Sequence, residues 1–421
     1  MIYKLPEGWR EAKLGEVTDK IFSGGTPRTK EASFWDGDYN WMSSGETRLD
    51  YINNTEKTIT LKGIQESSTK EALKGDVVIA SAGQGKTRGQ TSFLNINTYI
   101  NQSIISLRAN NNYLYNKFLL FNLRSRYSEL RGISDGHSIR GSITTKMMKD
   151  FPIKLPTMTE QKVIADTLSS LDDKIELNNK INENLEQQAQ SIFKHWFIDF
   201  EFPDENGNPY KSSGGEMIES ELGMIPKGWE VKKIKETSKD IVLGKTPKTT
   251  DKENFGGDMP FLTIPDMHNK LYVDNTERTL TEKGINTQAN KTVPKNSVCV
   301  SCIATPGLVS ITKEATQTNQ QINTIVPKIE YTYVYSLMKS LSNKIILLGS
   351  GGTATNNLNK TQFSNIDIVV PSHKHRSVYH KLVETLFNMI LINQEQNQKL
   401  SKLRDTLLPK LMSGEIRIPL D

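Results

Sequence analysis

Residues 158–195 read MTEQKVIADTLSSLDDKIELNNKINENLEQQAQSIFKH, and the periodicity of this stretch decides the fold. Ile164, Leu168, Leu171, Ile175, Asn178, Asn182, Leu185, Ala189 and Ile192 fall at intervals alternating between four and three. That is the seam of a helix that packs along one stripe against a partner helix. At an offset of 215 the pattern returns as Tyr379, Val383, Leu386, Ile390, Asn393, Asn397, Leu400, Arg404 and Leu407. Both seams are interrupted by two Asn at equivalent positions. A polar residue in such a seam costs stability and fixes register. A helix lying on its own domain with the Asn exposed is the plainer alternative; the recurrence of the Asn favours pairing.

Working outward, the regions before the two helices also match. Pro6-Glu7-Gly8-Trp9 returns as Pro226-Lys227-Gly228-Trp229, and Gly24-Gly25-Thr26-Pro27 as Gly244-Lys245-Thr246-Pro247, both at offset 220. Thr55-Glu56-Lys57-Thr58 matches Thr276-Glu277-Arg278-Thr279 at 221, and Asn101-Gln102-Ser103-Ile104 matches Asn319-Gln320-Gln321-Ile322 at 218. The slow drift is that of loop insertions in a duplicated domain. Each copy opens with about 150 residues of short β-like runs broken by Gly, Asn, Pro and Ser, Val77–Ala80 and Val298–Ser301 being equivalent strands. A long helix then follows a Pro. Two such helices related by a pseudo-two-fold axis run antiparallel; at about 30 residues each spans roughly 45 Å. An axis near position 180 places Asn178 by Asn397 and Asn182 by Asn393.

The expected class is α+β: two tandem mixed α/β domains joined by two long antiparallel coiled-coil helices in a pseudo-two-fold internal repeat. The expected boundaries are 1–157 for the first domain, 158–195 for the first helix and 196–220 for a linker rich in turn formers. The second domain is 221–371, the second helix 372–412 and the tail 413–421.

The chain has 421 residues, 36% hydrophobic and 24% charged, with mean hydropathy −0.51. That composition excludes a disordered chain and an integral membrane protein. The start, Met1 to Pro6, has no charged segment leading into an apolar one, and the two cysteines cannot frame a disulfide fold, so a reducing cytoplasm is expected. The net charge is +5. Residues 1–157 hold 22 basic against 16 acidic residues, residues 158–215 hold 5 against 11, and residues 216–371 hold 18 against 16. Basic blocks suit a polyanion, and the acidic segment between them suits a protein partner.

The order Ser23-Gly24-Gly25-Thr26-Pro27, Phe34-Trp35-Asp36-Gly37, Gly75-Asp76-Val77-Val78 and Asn101-Gln102-Ser103-Ile104 adds a further signal. So do Pro152-Ile153-Lys154-Leu155-Pro156 through Glu160-Gln161-Lys162-Val163-Ile164-Ala165 to Leu171-Asp172-Asp173-Lys174-Ile175. His195-Trp196-Phe197-Ile198-Asp199-Phe200 and Leu408-Pro409-Lys410-Leu411-Met412-Ser413-Gly414-Glu415-Ile416 complete the set. In this order, over nearly the whole chain, it resembles a specificity subunit of a type I restriction–modification system. The resemblance implies two target recognition domains, each reading one half of a bipartite double-stranded DNA sequence. It implies helices that set the spacing and dock two methyltransferase subunits, with restriction subunits joining them, so that the complex methylates adenine and restricts DNA. It implies no catalysis and no cofactor on this chain, S-adenosylmethionine on the methyltransferase subunits, and ATP and Mg on the restriction subunits. Copy two departs where Glu160-Gln161 becomes His375-Arg376 and Asp172-Asp173 becomes Phe387-Asn388, which leaves the docking of the two partners open to difference.

Two rival readings compete with this one. Ala80-Ser81-Ala82-Gly83-Gln84-Gly85-Lys86-Thr87 fits a relaxed phosphate loop, which would make an ATP-dependent enzyme using Lys86; Arg88-Gly89-Gln90-Thr91-Ser92 is poor helix material, and the equivalent loop around Cys302 has no Lys. A scaffold whose basic blocks bind protein is the other. Cys299 and Cys302 have zinc spacing without a second pair and read as buried thiols; Trp9 and Trp229 read as core. No catalytic or metal constellation is expected. The candidate DNA-binding residues are Arg28, Arg48, Lys86, Arg88, His137 and Arg140 in the first domain, and Lys245, Lys248, His268, Thr353, Asn356 and Asn357 in the second. The helix-pairing residues are Leu168, Leu171, Ile175, Asn178, Asn182 and Leu185 with Val383, Leu386, Ile390, Asn393, Asn397 and Leu400.

Overall fold

The computed structural model describes residues 5–83, 85–135, 141–273, 275–350 and 357–419. The chain divides into two units, Met1–Ile175 with Lys399–Asp421, and Glu176–Gln398.

In the first unit a five-stranded sheet has the order Thr18–Ser23, Ile104–Ala109, Val77–Ala80, Thr91–Leu94, Tyr51–Ile52. Its pairs are antiparallel except the last, where Tyr51 lies parallel to Phe93. Val77–Ala80 is buried along its whole length, as its unbroken apolar run requires of a central strand. A second sheet orders Lys57–Ile59, Trp35–Met42, Thr98–Ile100 and Lys70–Ala72. Arg10–Lys13 pairs with Pro152–Leu155, which leads into the long helix α1, Met158–Phe193.

The second unit repeats this plan with one strand of the smaller sheet reduced. Its five-stranded sheet orders Ser238–Leu243, Ile322–Pro327, Val298–Ser301, Val309–Thr312 and Tyr272–Val273, again with the last pair parallel. Phe255–Leu262 stands between Arg278–Leu280 and Gln317–Thr318, and Glu230–Lys233 pairs with Asp367–Val370 ahead of the second long helix, α2, His373–Ser413. The counterpart of Lys70–Ala72 is reduced to a single bridge, Val293 to Thr316.

The helices do not stand apart from the domains. Ile164, Ala165 and Leu168 of α1 enter the apolar core of the first unit with Leu411 and Met412 of α2. Leu185, Ala189 and Phe193 of α1 enter the core of the second unit with Tyr379, Val383, Phe387 and Ile390 of α2. Each compact unit therefore holds a sheet domain and a part of both helices, because the seam has apolar surface to bury on both sides. On α2 burial follows Phe387, and Leu386 is only half-buried; Leu171 and Ile175 are half-buried as well. Within the second unit Asn178 Nδ2 donates to Asn397 Oδ1 and to Gln396 Oε1, both at 2.8 Å, and Asn393 Nδ2 donates to Asn182 Oδ1 at 2.9 Å. One residue number rises as its partner's falls, so the helices pass in opposite directions there.

Two acidic residues read as partner-facing turn inward. Asp172 is buried, accepting from Arg404 at 2.7 Å, from Arg124 at 3.1 Å and from the Tyr51 hydroxyl at 3.1 Å. Its counterpart Phe387 sits among Tyr272 and Tyr335, so an ion cluster in one unit is an aromatic cluster in the other. Glu160 is buried too, accepting from the Trp9 indole at 3.2 Å and from both Nε and Nη2 of Arg417 at 3.0 Å. Its counterpart His375 packs on Phe202, with ring centroids 4.1 Å apart.

The linker is more ordered than its turn-forming composition suggests. Phe202 is buried, stacked between Tyr210 and Trp229 at 4.6 and 4.9 Å, and Met217–Ser220 forms a hairpin with Gly223–Pro226. Polar composition hid an aromatic anchor that closes the core beneath Trp229.

Candidate nucleic-acid interface

Each domain gathers its irregular loops at one end of the five-stranded sheet. In the first unit the loop after Val77–Ala80 passes through Gly83, Gly85 and Gly89 at φ +140°, +64° and +88°, backbone that side chains rarely adopt. It lies on helix Tyr127–Asp135: the Tyr127 hydroxyl donates to the Lys86 carbonyl at 2.7 Å, and Arg131 donates to that of Gly85 at 2.5 Å. Ile143 N donates to Ser81 O at 2.9 Å, which ties the segment after that helix to the same loop. The second unit repeats the tie as Leu358 N to Cys302 O at 3.0 Å, with Ile303 bridged to Asn357. Ala304 and Gly307 carry the positive φ there, +65° and +94°.

The expected residues distribute as follows. Arg28 and Lys248 are exposed at equivalent places, offset 220, in the loops after Gly24 and Gly244. Arg48 and His268 also occupy equivalent exposed places, each closing a turn capped by a carboxylate. Glu46 accepts from the backbone N–H of Ser43 at 2.7 Å and Glu56 at 2.9 Å; Asp266 accepts from Thr263 at 2.9 Å and Glu277 at 2.8 Å. Arg48 itself pairs with Glu56 at 2.5 Å. Lys86, Lys245 and Asn357 are exposed. Arg88 is buried, its guanidinium donating to the Gly141 carbonyl at 3.0 Å. It braces the loop from inside instead of facing outward, because the reversal at Gly89 turns it under the chain. His137, Arg140, Thr353 and Asn356 lie outside the described residues.

Sequence reasoning passed over Lys57 and Arg278. Both are exposed on the second sheet, Lys57 over the Trp35 ring at 5.4 Å and Arg278 over the Phe255 ring at 6.0 Å. The signal was available, since the two cations stand at the same place in a matched motif.

Thr91–Leu94 follows the Lys86 loop as a strand, where a phosphate loop would lead into a helix. Cys299 and Cys302 are buried, and burial pushes their thiols up to about 12 and about 11, far from the thiolate that metal binding needs. Among the described residues no cluster of three or more His, Cys, Asp or Glu could hold a metal, and no helix is long and apolar enough to cross a membrane.

The chain matches the family described as type I restriction modification DNA specificity domain over residues 6–187 and 226–402, once per repeat. It is 33% identical over 412 residues to the type I restriction enzyme HindI specificity subunit of Haemophilus influenzae, covering 85% of this chain and 90% of that one. It is 28% identical over 430 residues to the MjaIX specificity subunit of Methanocaldococcus jannaschii, covering 99% and 95%. The fold is similar to the crystal structure of the type I restriction–modification S subunit from M. genitalium, with a TM-score of 0.56 over 99% of both chains at 16% identity. The family match falls once on each of the two repeated sheet domains and the long helix that follows it, and the chain belongs to the type I restriction–modification DNA specificity family.

Proposed function

We propose that the chain is the non-catalytic DNA reader of a type I restriction–modification complex, with each sheet domain reading one half of a bipartite duplex target. The observation that carries this is the duplication: the same fold presents loops at the same end twice, and those loops differ in chemistry. Lys86 stands in a Gly-rich loop of the first domain, and the matching loop around Ala304 and Gly307 has no basic residue. Polar side chains on such loops reach base edges, while Lys and Arg supply phosphate affinity. Arg48, Lys86, His137 and Arg140 are the readers assigned to one half. Lys245, His268, Thr353, Asn356 and Asn357 are those assigned to the other.

The paired helices act as the ruler between the half-sites, with the Asn layers fixing their register. They also dock two methyltransferase subunits, which carry S-adenosylmethionine and methylate adenine; restriction subunits bring ATP and Mg. Support for docking comes from Val378, Leu382, Met389 and Ile392, exposed along one face of α2. Their counterparts Val163, Thr167, Lys174 and Leu177 are more polar, so the two docking faces differ. Methylation profiling of host DNA with and without this chain tests the reading. A bipartite adenine-methylated motif that depends on the chain is expected; no such motif would overturn it.

A further inference from the structure

The duplication allows a comparison within the chain. Two domains that read different half-sequences should differ where they read and agree where they do something common to both. The Gly-rich loops differ. A neighbouring cluster agrees.

In the first domain the Trp35 indole donates to the Arg28 carbonyl at 3.2 Å, and the Lys57 ammonium lies over the Trp35 ring at 5.4 Å. In the second, Asn254 Nδ2 donates to the Lys248 carbonyl at 3.1 Å, and the Arg278 guanidinium lies over the neighbouring Phe255 ring at 6.0 Å. Arg28 and Lys248 correspond, as do Trp35 and Phe255, and Lys57 and Arg278. Charge and aromatic character are kept while the residue type changes at all three places. The four cations are exposed, and within the described residues none of them forms an ion pair. Two carboxylates that feel these cations without forming an ion pair with them have closer partners: Glu31 accepts from the Ser33 hydroxyl at 2.7 Å, and Asp251 pairs with Lys283 at 3.0 Å. A ring beneath a cation holds it in place without neutralising it.

The cluster shares its end of the sheet with the candidate readers. The Thr26 hydroxyl donates to Gln102 Oε1 at 2.5 Å, and the next residue, Ser103, accepts from Ser81 N at 2.8 Å. The second domain has Thr246 on Gln320 at 2.6 Å and Cys302 N on Gln321 O at 2.9 Å. One turn thus joins the cation loop to the Gly-rich loop in both domains. The strand leaving that turn, Ile104–Ala109, ends where Ala109 pairs with Thr18, beside Leu14, whose N–H donates to Phe151 O at 3.0 Å just before the chain runs into α1. Six strand residues, roughly 20 Å, separate the cation end from the helix end.

We propose that Arg28 with Lys57, and Lys248 with Arg278, grip the phosphate backbone of duplex DNA in a contact common to both half-sites, which seats each domain without reading a base. An acidic face of a partner protein is the competing ligand. The end of the sheet favours DNA, since the cations stand with the reading loops, at the opposite end of the sheet from the start of α1. The inference rests on the DNA-reading assignment above.

The test compares full-length wild type with Arg28→Ala/Lys57→Ala and with Lys248→Ala/Arg278→Ala, binding target and unrelated duplexes across a salt series. Each double variant should weaken both duplexes by the same factor, about tenfold or more at low salt, and flatten the slope of log affinity against log salt by about one to two. The methylated motif should stay unchanged in both halves. The charge-keeping pair Arg28→Lys/Lys57→Arg should bind like wild type, which separates lost charge from lost folding. A variant that changes the motif, that weakens only the target duplex, or that binds DNA normally while losing a protein partner would overturn the inference and leave DNA reading standing. A wild type that does not distinguish target from unrelated duplex would overturn the DNA reading itself and the inference with it.

Discussion

Asn178 donates through Nδ2 to Asn397 Oδ1 at 2.8 Å in the seam between the two long helices, with Asn178 fully buried. A buried amide in an apolar seam weakens the pairing and makes every other register worse, because a shifted helix would leave the amides without partners.

Removing one member should therefore harm more than removing both. Asn178→Ala should cost about 1–3 kcal/mol in denaturant unfolding, since it strips partners from Gln396 and Asn397. Asn178→Leu with Asn397→Leu should recover that loss while making the gap of the methylated motif less uniform. A double variant less stable than the single one would contradict this.

The tail should be structural for the first unit. Arg417 is held by the buried Glu160, which also takes the Trp9 indole. Arg417→Ala, or a chain ended before Arg417, should lower the unfolding midpoint of the first unit and leave the second unchanged. The two midpoints can be followed separately by hydrogen exchange within each unit.

Much of this was legible in the sequence, for identifiable reasons. The duplication shows because Pro-x-Gly-Trp and Gly-x-Thr-Pro are short, rigid and placed at turns that cannot drift. The seam shows because helix packing repeats strictly, and the antiparallel reading names the Asn pairs found hydrogen-bonded. The inward turn of Asp172 was hidden because its partners Arg124 and Arg404 lie 48 and 232 residues away. Arg88 was misplaced because a Gly-rich stretch reads as exposed until its reversal at Gly89 is known. Phe202 was hidden in a stretch whose Gly, Asn, Ser and Pro read as linker.

His375 should make the second unit sensitive to mild acid. Burial against Phe202 and Trp229, with Lys374 adjacent, holds its pKa below the ordinary 6.5. The unfolded chain therefore takes up the proton first as pH falls. This contribution to stability is full above about pH 6.5 and is lost as pH drops below it. His375→Phe should flatten the fall in unfolding midpoint between about pH 7 and pH 5. An unchanged pH dependence in that variant would show that other groups carry it.

Lengthening the helix should lengthen the gap. Four residues inserted after Leu185 add roughly 6 Å to α1 and keep the seam close to phase. The duplex rises about 3.4 Å per base pair, so the unread gap should grow by one or two base pairs with both half-sequences intact. An active protein with an unchanged gap would show that these helices do not set the spacing.

The central claim is that each repeat reads one half-site by itself. The most direct measurement is methylation profiling of host DNA after residues 221–371 are exchanged for the corresponding domain of a specificity subunit with a different target. The account predicts that one half of the methylated motif changes while the other half, and the gap, stay as they were. A change in both halves together would contradict it.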